Sequence, residues 1–264
     1  MAVRACLAAA ALSLLAGCGG GDEPLSGAPS SERLSIRAAG SVEGAPLGYI
    51  EYLPPGYGDG EARPLLVFLH GSGESGNGSE AELDRVFKLG VPRLIRDDEW
   101  PNDRPFVVLA PQYSERDSGE CRLAEKLDSF LDFALEEYEV DESRVYLTGV
   151  SCGAIGAWDY LRAHVDEVVA GAVLIAAHTS DAVAERGCAV GRVPIWAFHG
   201  AADEIVPKMY IVEPMRRLVA CTNPRPVDVR LTVYPRADHD AWTRTYDLSA
   251  GHDVYAWLLG HRHG

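Results

Sequence analysis

Short runs of branched and aromatic residues alternate along the chain with longer stretches in which apolar residues recur every three or four positions. The short runs predict β-strands, and the longer stretches predict amphipathic helices. Strands that alternate with helices are typical of an α/β protein with a mostly parallel sheet flanked by helices on both faces. The predicted strands are residues 34–37, 48–53, 65–69, 106–110, 145–148, 172–175, 195–198 and 229–234.

Two helices carry the clearest periodic pattern. Residues 123–138 place apolar side chains at helical spacing, and residues 254–259 form the last predicted helix. An apolar stripe of this kind packs against a core, so neither helix is assigned any chemistry. No internal repeat or second linker follows residue 34. Residues 34–264 are therefore expected to form one α/β domain, because this length is within the range of large single domains.

The N-terminus has a different composition from the rest of the chain. Arg4 precedes a short apolar run that ends in Leu15-Ala16-Gly17-Cys18 and is too short to span a bilayer. This pattern resembles a bacterial lipoprotein signal, which implies cleavage after residue 17 and a lipid on Cys18. Residues 18–33 are rich in Gly, Pro and Ser and are predicted to be a flexible tether. The alternatives are an uncleaved apolar N-terminus or an ordinary secretory signal.

Charge and motif spacing exclude several classes of partner. The chain has 39 acidic and 24 basic residues and a net charge of −15, which disfavours nucleic acid. The eight histidines show no metal-ligand spacing, so no metal is predicted. The glycine-rich run after His70 lacks the G-K-[ST] ending of a phosphate loop, and no cofactor is expected.

A G-x-S-x-G motif follows the fifth predicted strand. Gly149-Val150-Ser151-Cys152-Gly153 lies between that strand and a helix-like stretch, which is the context of a nucleophile elbow. A tight turn at this place would expose the Ser151 hydroxyl. The N-terminus of the following helix and the N–H of Cys152 could then stabilise the negative oxygen that forms on an attacked carbonyl group. The motif therefore predicts a serine nucleophile.

A serine nucleophile needs a histidine base and an orienting carboxylate, and both follow in the sequence. Asp203 comes after the seventh predicted strand, and His239 comes after the eighth. Since the ends of parallel strands meet at one edge of a sheet, these side chains are expected to lie near Ser151. Asp238 or Asp240 could replace Asp203, but a residue adjacent to the histidine seldom aligns with its ring.

These motifs together resemble the α/β-hydrolases, in particular bacterial esterases of the polyhydroxybutyrate-depolymerase-like, dienelactone-hydrolase-like and predicted-peptidase groups. The resemblance covers roughly residues 48–259 and includes the run from Leu69 to Gly76. It implies the roles of Ser151, Asp203 and His239, and it implies that the N–H of Ser72 joins that of Cys152 in an oxyanion hole. His70 and His199 each precede a glycine at a strand end and are expected to fix loops by hydrogen bonds.

Four cysteines remain after Cys6 and Cys18 are set aside, and an exported protein can form disulfides. Cys121 and Cys152 each begin a helix at the catalytic end of the sheet. Cys188 and Cys221 belong at the opposite end, too far from the first two for a bridge. The predicted pairs are therefore Cys121 with Cys152 and Cys188 with Cys221, and buried free thiols are the alternative.

The substrate can be narrowed only in part. The short connection between the sixth and seventh strands leaves no room for a large lid, so an open site is expected, suited to acylated carbohydrate, polyester ends or peptides. Gln112, Tyr113 and Trp242 are candidate substrate contacts. A carboxylesterase is favoured, and the alternatives are a prolyl-oligopeptidase-like peptidase and a non-catalytic binding protein anchored by lipid in the bacterial envelope.

Overall fold

The computed structural model describes residues 28–165 and 167–264. Within these ranges the strands form one eight-stranded sheet in the order β1-β2-β4-β3-β5-β6-β7-β8. β1 and β2 pair antiparallel, as do β2 and β4, and all other neighbours are parallel. The strands are β1 Leu34–Arg37, β2 Tyr49–Tyr52, β3 Arg63–Leu69, β4 Val107–Pro111, β5 Val140–Val150, β6 Val169–Ile175, β7 Ile195–Gly200 and β8 Val229–Tyr234.

Helices connect the strands and cover both faces of the sheet. They are α1 Glu80–Leu83, α2 Gly90–Arg96, α3 Glu115–Glu120, α4 Ala124–Glu137, α5 Cys152–Ala163, α6 Ala182–Arg186, α7 Met209–Val219, α8 Trp242–Tyr246 and α9 Val254–Leu259. Shorter 3-10 helices are Ser30–Arg33, Ser72–Glu74, Asp84–Lys88 and Gly187–Arg192. All eight predicted strands and both predicted helices are confirmed, with β5 extending farther toward its N-terminus than expected.

Alternate residues of the central strands enter two separate hydrophobic cores. On β3, Leu65, Val67 and Leu69 pack into the core beneath α4 and α5. Leu66 and Phe68 point the other way, into the core beneath α2 and α9. Successive side chains of a strand point to opposite faces, so strands that are apolar at every position become buried on both sides. The central strands are therefore rigid supports for the loops at their ends.

The connection between β6 and β7 is short, as expected. It holds the five-residue helix α6 and one 3-10 turn, and no cap domain lies there. The carboxyl ends of the strands consequently stay open to solvent on this side.

The N-terminal predictions fall largely outside the described residues. The signal segment 1–17, the lipid site Cys18 and most of the tether lie in residues 1–27. The end of the tether differs from the prediction, because Ser30–Arg33 form a 3-10 helix and the buried Ser30 hydroxyl donates to the Ile95 carbonyl at 2.8 Å. Among the described residues, none of the helices is long and apolar enough to span a membrane.

Both predicted disulfides are present. Cys121 is bonded to Cys152 with a Cα–Cα distance of 5.1 Å, and Cys188 is bonded to Cys221 with a Cα–Cα distance of 5.6 Å. The bonded residues are 31 and 33 positions apart. Loops of that length correspond to about 4 kcal/mol of stabilisation each on the chain-entropy estimate. The first bridge ties the residue after Ser151 to the segment before α4.

Candidate active site

Ser151 occupies a sharp turn between β5 and α5. Its φ of 48° and ψ of −121° are a strained backbone conformation for a residue with a side chain. A Cβ added to Gly149 would lie 2.9 Å from the Leu69 carbonyl oxygen, and one added to Gly153 would overlap the Leu69 main chain. The two glycines let the elbow lie directly against the end of β3, as the motif predicted.

His239 links Ser151 to Asp203. Its Nε2 lies 2.9 Å from Ser151 Oγ, and its Nδ1 lies 2.8 Å from Asp203 Oδ2. The three residues follow β5, β7 and β8, so the parallel strands bring them to one edge of the sheet from positions 88 and 36 residues apart. The arrangement matches a nucleophile, a base and a carboxylate in line.

Asp203 is held by a dense set of donors. Its side chain is fully buried, and its Oδ1 accepts from the N–H groups of Ile205 and Val206 at 2.9 Å each. Oδ1 thus accepts hydrogen bonds from the loop that carries Asp203. Oδ2 remains directed at the His239 ring.

His199 lies behind Asp203 and fixes the same loop. Its Nε2 donates to the Val206 carbonyl at 2.8 Å and lies 3.3 Å from Asp203 Oδ2. Burial lowers the pKa of His199 below its ordinary value, so the ring is neutral. The expected structural role of this histidine is confirmed.

The oxyanion turn, which we define as residues 70–78, lies on the other side of Ser151. A Cβ added to Gly71 would lie 3.8 Å from Ser151 Cβ, so Gly71, which precedes the predicted oxyanion donor Ser72, lies beside Ser151. His70 Nδ1 donates to the Gly71 carbonyl at 2.7 Å, and His70 Nε2 accepts from the Tyr113 N–H at 2.9 Å. Burial lowers the pKa of His70 to about 4, which keeps the ring in this neutral tautomer. His70 is thus a brace, as expected.

Gln112 has a different role from the one the sequence suggested. Its side chain is buried, and it accepts from Gly78 N–H at 3.0 Å. Its Nε2 donates to the carbonyls of Glu74 and Glu82 at 2.9 and 2.6 Å. With its amide fully engaged by main-chain groups, Gln112 fastens the oxyanion turn and does not face substrate.

Tyr113 is also no surface contact. Its side chain is completely buried in the core beneath α4, and its ring lies 5.7 Å from that of His70. No hydrogen-bond partner of its hydroxyl lies among the described residues. The strand end turns inward at this point, so the prediction of a substrate contact is corrected.

Trp242, the third candidate substrate contact, lies beside His239. Its ring meets the His239 ring edge-on, with 5.2 Å between centroids. Both line a cavity of about 560 Å³ that opens beside the imidazole. We call its lining the histidine rim: Ala202, Glu204, Ile205, Asp238, His239, Asp240 and Trp242.

A second, mostly apolar hollow of about 610 Å³ lies between the β6 loop and the start of α7. His178 and Tyr210 line it, and Tyr210 and its neighbour Met209 are exposed. The loop that carries His178 follows β6, whose Ile175 carbonyl accepts from Ser151 N–H at 2.9 Å. The hollow therefore lies at the same end of the sheet as Ser151, and its lining is mostly apolar.

One group of side chains among the described residues has the atoms to hold a metal. Asp128, His164 and Glu167 place one ligand atom each within 4.8 Å of one another. His164 Nδ1 lies 2.9 Å from Glu167 Oε2, and the imidazole stacks on Tyr160. This group is at the C-terminal end of α5, whereas Ser151 is at the N-terminal end, so it has no contact with the site described above.

Asp238 and Asp240 are not in line with the imidazole of His239. Asp238 Oδ1 accepts from Asp240 N–H at 3.1 Å, and Asp240 accepts from the N–H and hydroxyl of Thr243 at 2.9 and 2.8 Å. Both carboxylates therefore shape the loop before α8. Asp203 is the carboxylate that contacts His239.

Comparison with known proteins gives a structural likeness only. No family model matches the chain, and no curated protein matches its sequence. Solved structures do match, among them a thermostable esterase with a TM-score of 0.63 and 23% identity, over 88% of this chain and 64% of that one. The chain thus spans less than two thirds of that esterase.

Two further structures extend the likeness to other activities. The feruloyl esterase module from Clostridium thermocellum, complexed with sinapinate, has a TM-score of 0.61 and 15% identity over 86% of each chain. An acylaminoacyl peptidase in complex with a chloromethyl ketone has a TM-score of 0.53 and 14% identity, over 86% of this chain and 40% of that one. At these identities the likenesses show the fold, which is that of the α/β-hydrolases.

Proposed function

We propose that the protein is a serine hydrolase that cleaves carboxylic esters through a covalent acyl-enzyme on Ser151. The observation that carries the proposal is the continuous contact from Ser151 Oγ through His239 to Asp203, at 2.9 and 2.8 Å. A serine hydroxyl is a weak nucleophile by itself, and this contact gives it a base that is held in one orientation. The fold likeness to esterases agrees with this chemistry.

The acylation step follows from the positions of these groups. Ser151 Oγ attacks the ester carbonyl carbon while its proton passes to His239 Nε2, and the carbonyl oxygen becomes negative. Asp203 stabilises the imidazolium through Nδ1–H. The main-chain N–H groups of Ser72 and Cys152 are the proposed donors to the oxyanion. Collapse of the adduct expels the alcohol, which takes the proton back from His239.

Deacylation repeats the sequence with water. His239 Nε2 takes a proton from the attacking water, the acyl carbon again becomes tetrahedral, and its oxygen again receives the two N–H groups. Release of Ser151 Oγ with that proton frees the carboxylic acid and restores the enzyme. The ester is thus hydrolysed to an acid and an alcohol, and none of these steps requires a cofactor.

The open site suits a substrate that projects from a larger molecule, such as an acylated carbohydrate or a polyester end. Trp242 is proposed to contact the part of the substrate next to the imidazole, because it lines the cavity there. A peptidase of the prolyl-oligopeptidase type uses the same three groups and is the rival activity. The fold likeness to an acylaminoacyl peptidase is compatible with this rival activity.

Parallel assays separate the candidates. Purified protein is given p-nitrophenyl acetate and, separately, a peptide p-nitroanilide, with Ser151→Ala as the matched control. We expect the wild type to hydrolyse the ester and to hydrolyse the anilide only slightly. We expect Ser151→Ala to lose the ester hydrolysis. Dominant amide turnover, lost in the same variant, would favour the peptidase. Wild-type ester turnover that is no faster than the background rate, and is unchanged in Ser151→Ala, would favour a lipid-anchored binding protein on a hydrolase scaffold.

We also propose that the protein is exported and attached to the bacterial envelope by a lipid on Cys18. The Leu15-Ala16-Gly17-Cys18 box supports this proposal, as do two disulfides in the domain, which persist in oxidising compartments. Mass spectrometry of the mature N-terminal peptide tests it. A diacylglyceryl group on Cys18 is expected, and an intact N-terminus at Met1 would contradict it.

A further inference from the structure

An exposed apolar stretch follows Asp203, and the proposed mechanism gives it no task. Ile205, Met209 and Tyr210 are 71%, 66% and 55% exposed and lie within six residues of one another. They are half of the six large apolar side chains that are exposed among the described residues. Large apolar groups gathered on one part of a surface indicate a binding site, because leaving them in water is unfavourable.

Met209 and Tyr210 border the cavity of about 610 Å³ described above, which we call the apolar hollow. Its lining is His178, Thr179, Ser180, Met209, Tyr210, Glu213, Pro214 and Arg217. The members of this set that lie on α7 recur at the spacing of one helix face. A neighbouring face of α7 is buried in the core through Ile211, Met215 and Leu218. One face thus holds α7 in place, while another borders a cavity.

Both walls of the apolar hollow begin close to the catalytic residues. His178 is three residues after Ile175, whose carbonyl accepts from Ser151 N–H at 2.9 Å. Met209 is three residues after Val206, whose N–H donates to the catalytic carboxylate at 2.9 Å. Three residues of chain span at most about 11 Å. The apolar hollow is therefore within the length of a substrate that is bound at Ser151.

The apolar hollow carries no net charge at neutral pH. Its acidic and basic side chains form an ion pair, with Arg217 Nε 3.2 Å from Glu213 Oε1. Burial lowers the pKa of His178 below its ordinary value, so this ring is neutral, and its Nδ1 accepts from Ser180 N–H at 2.9 Å. The cavity therefore suits an uncharged, apolar group.

The proposed mechanism assigns the two parts of an ester to different cavities. The alcohol receives its proton from His239 Nε2, so it leaves beside the imidazole, at the histidine rim. The acyl chain is the other substituent of the carbonyl carbon and extends away from the leaving alcohol. Of the two cavities described at this end of the sheet, the apolar hollow is the one left for the acyl chain.

We propose that the apolar hollow is the acyl-binding subsite and selects esters of acids with a bulky, uncharged, apolar group, such as a phenylalkanoic acid. The inference rests on the proposed function, because it names the acyl group that Ser151 accepts. Met209 and Tyr210 are the specificity-determining residues. A phenyl ring in the hollow gains contacts with the Tyr210 ring and the Met209 thioether, whereas an acetyl group is too short to make them.

The test compares two esters with the same leaving group, p-nitrophenyl acetate and p-nitrophenyl 3-phenylpropanoate. In wild type, kcat/KM should be about 10- to 100-fold higher for the phenylpropanoate, the effect of burying a phenyl ring. Tyr210→Ala should lower this ratio at least about fivefold. Val219→Ala is the matched control, because Val219 lies on the same helix, is equally exposed at 55% and does not line the hollow. It should keep the wild-type ratio.

Boronic acids give an equilibrium measure that does not depend on turnover. Ser151 Oγ bonds to the boron while its proton passes to His239, and the carbon substituent of the boron takes the place of the acyl chain. 2-Phenylethylboronic acid should bind wild type at least about 10-fold more tightly than methylboronic acid. Tyr210→Ala should lose most of this preference, and Val219→Ala should retain it.

Three results would overturn the inference. They are a wild-type preference near one in both the ester and the boronic acid series, a preference that Tyr210→Ala retains, or an equal loss in Tyr210→Ala and Val219→Ala. If Tyr210→Ala does not fold, Met209→Ala takes its place in the same comparison. The proposed function stands in these cases as long as wild type hydrolyses the acetate and Ser151→Ala does not. A wild type that hydrolyses neither ester would overturn both.

Discussion

The two sides of Ser151 are built in opposite ways. On one side most of the oxyanion turn is buried, and His70 and Gln112 fasten it through hydrogen bonds to main-chain groups. On the other side the histidine rim is open and largely exposed, with Ile205 71% accessible. In the proposed mechanism the fastened side is where charge would develop in the transition state, and the open side is where substrate would enter.

The two sides also differ in charge. Glu204, Asp238 and Asp240 line the rim, and in the described part of the chain no Lys or Arg forms an ion pair with them. In the turn, by contrast, burial raises the pKa of the single buried carboxyl group, that of Glu74, and the Lys88 ammonium partly opposes this. The rim therefore carries three acidic side chains, in keeping with the acidic excess of the chain.

The largest effect is expected from filling the space between the elbow and β3. Gly153→Ala forces a methyl group into the Leu69 main chain, which cannot move without disturbing the sheet. We expect a loss of about 3 kcal/mol or more in the free energy of unfolding and no measurable turnover. Gly73→Ala, where an added Cβ meets nothing within 4 Å, is the matched control for denaturant unfolding. A stable, active Gly153→Ala would contradict the close approach.

Asp203→Asn is expected to act on chemistry with little effect on folding. The amide cannot stabilise an imidazolium, and it favours the wrong tautomer of His239. We expect kcat/KM for p-nitrophenyl acetate to fall about 10³- to 10⁴-fold. Asp238→Asn and Asp240→Asn serve as controls and should remain within a few-fold of wild type. A comparable loss in either control, with an active Asp203→Asn, would assign the role of orienting His239 to the residue changed in that control.

Removing the amide of Gln112 tests the rigid side without touching reacting atoms. Gln112→Ala leaves the Gly78 N–H and the carbonyls of Glu74 and Glu82 without this partner. We expect a loss of about 3 kcal/mol, or roughly 10 °C in Tm. Thermal unfolding monitored by circular dichroism measures it. An unchanged Tm with a raised KM would indicate that Gln112 contacts the substrate.

Trp242→Ala tests the open side. Because Trp242 is only partly buried and borders the cavity beside His239, we expect Tm to change little. KM for esters with a bulky alcohol should rise about 5- to 10-fold, equivalent to roughly 1 kcal/mol of lost contact. KM for methyl esters of the same acid should stay constant. An equal rise for both alcohols would place the contact elsewhere.

The smallest effect concerns charge at the rim. At low salt, an ester that carries a carboxylate on its alcohol should be cleaved a few-fold more slowly than its neutral isostere, because the rim carboxylates repel it. The difference should shrink at about 0.5 M salt as screening increases. Steady-state rates for the pair over a salt series measure it. A difference that does not depend on salt would indicate shape, and not charge, as the cause.

The sequence predicted what periodicity and strand-end motifs encode. The eight strands, the Ser151 elbow and the order of Asp203 and His239 follow from local patterns, because parallel strands bring their ends together. The disulfide pairs followed from the same topology. Cys121 and Cys152 could be assigned to one end of the sheet and the other two cysteines to the opposite end.

What the sequence could not predict depends on how loops fold back on the sheet. Gln112 and Tyr113 follow a strand end like the catalytic residues do, yet their side chains turn inward, and nothing local distinguishes the two outcomes. Glu74 carried one usable signal, an acidic residue among glycines directly after a strand. Its burial follows from the way the turn packs, which no local pattern encodes.

The central claim is that His239 activates Ser151 as a nucleophile. A fluorophosphonate probe, incubated with wild type, His239→Ala and Ser151→Ala and mapped by peptide mass spectrometry, tests it most directly. We predict a single labelled site at Ser151 in wild type, and no labelling in either variant on the same timescale. Labelling of Ser151 at an undiminished rate in His239→Ala, or labelling of another residue in wild type, would contradict the account.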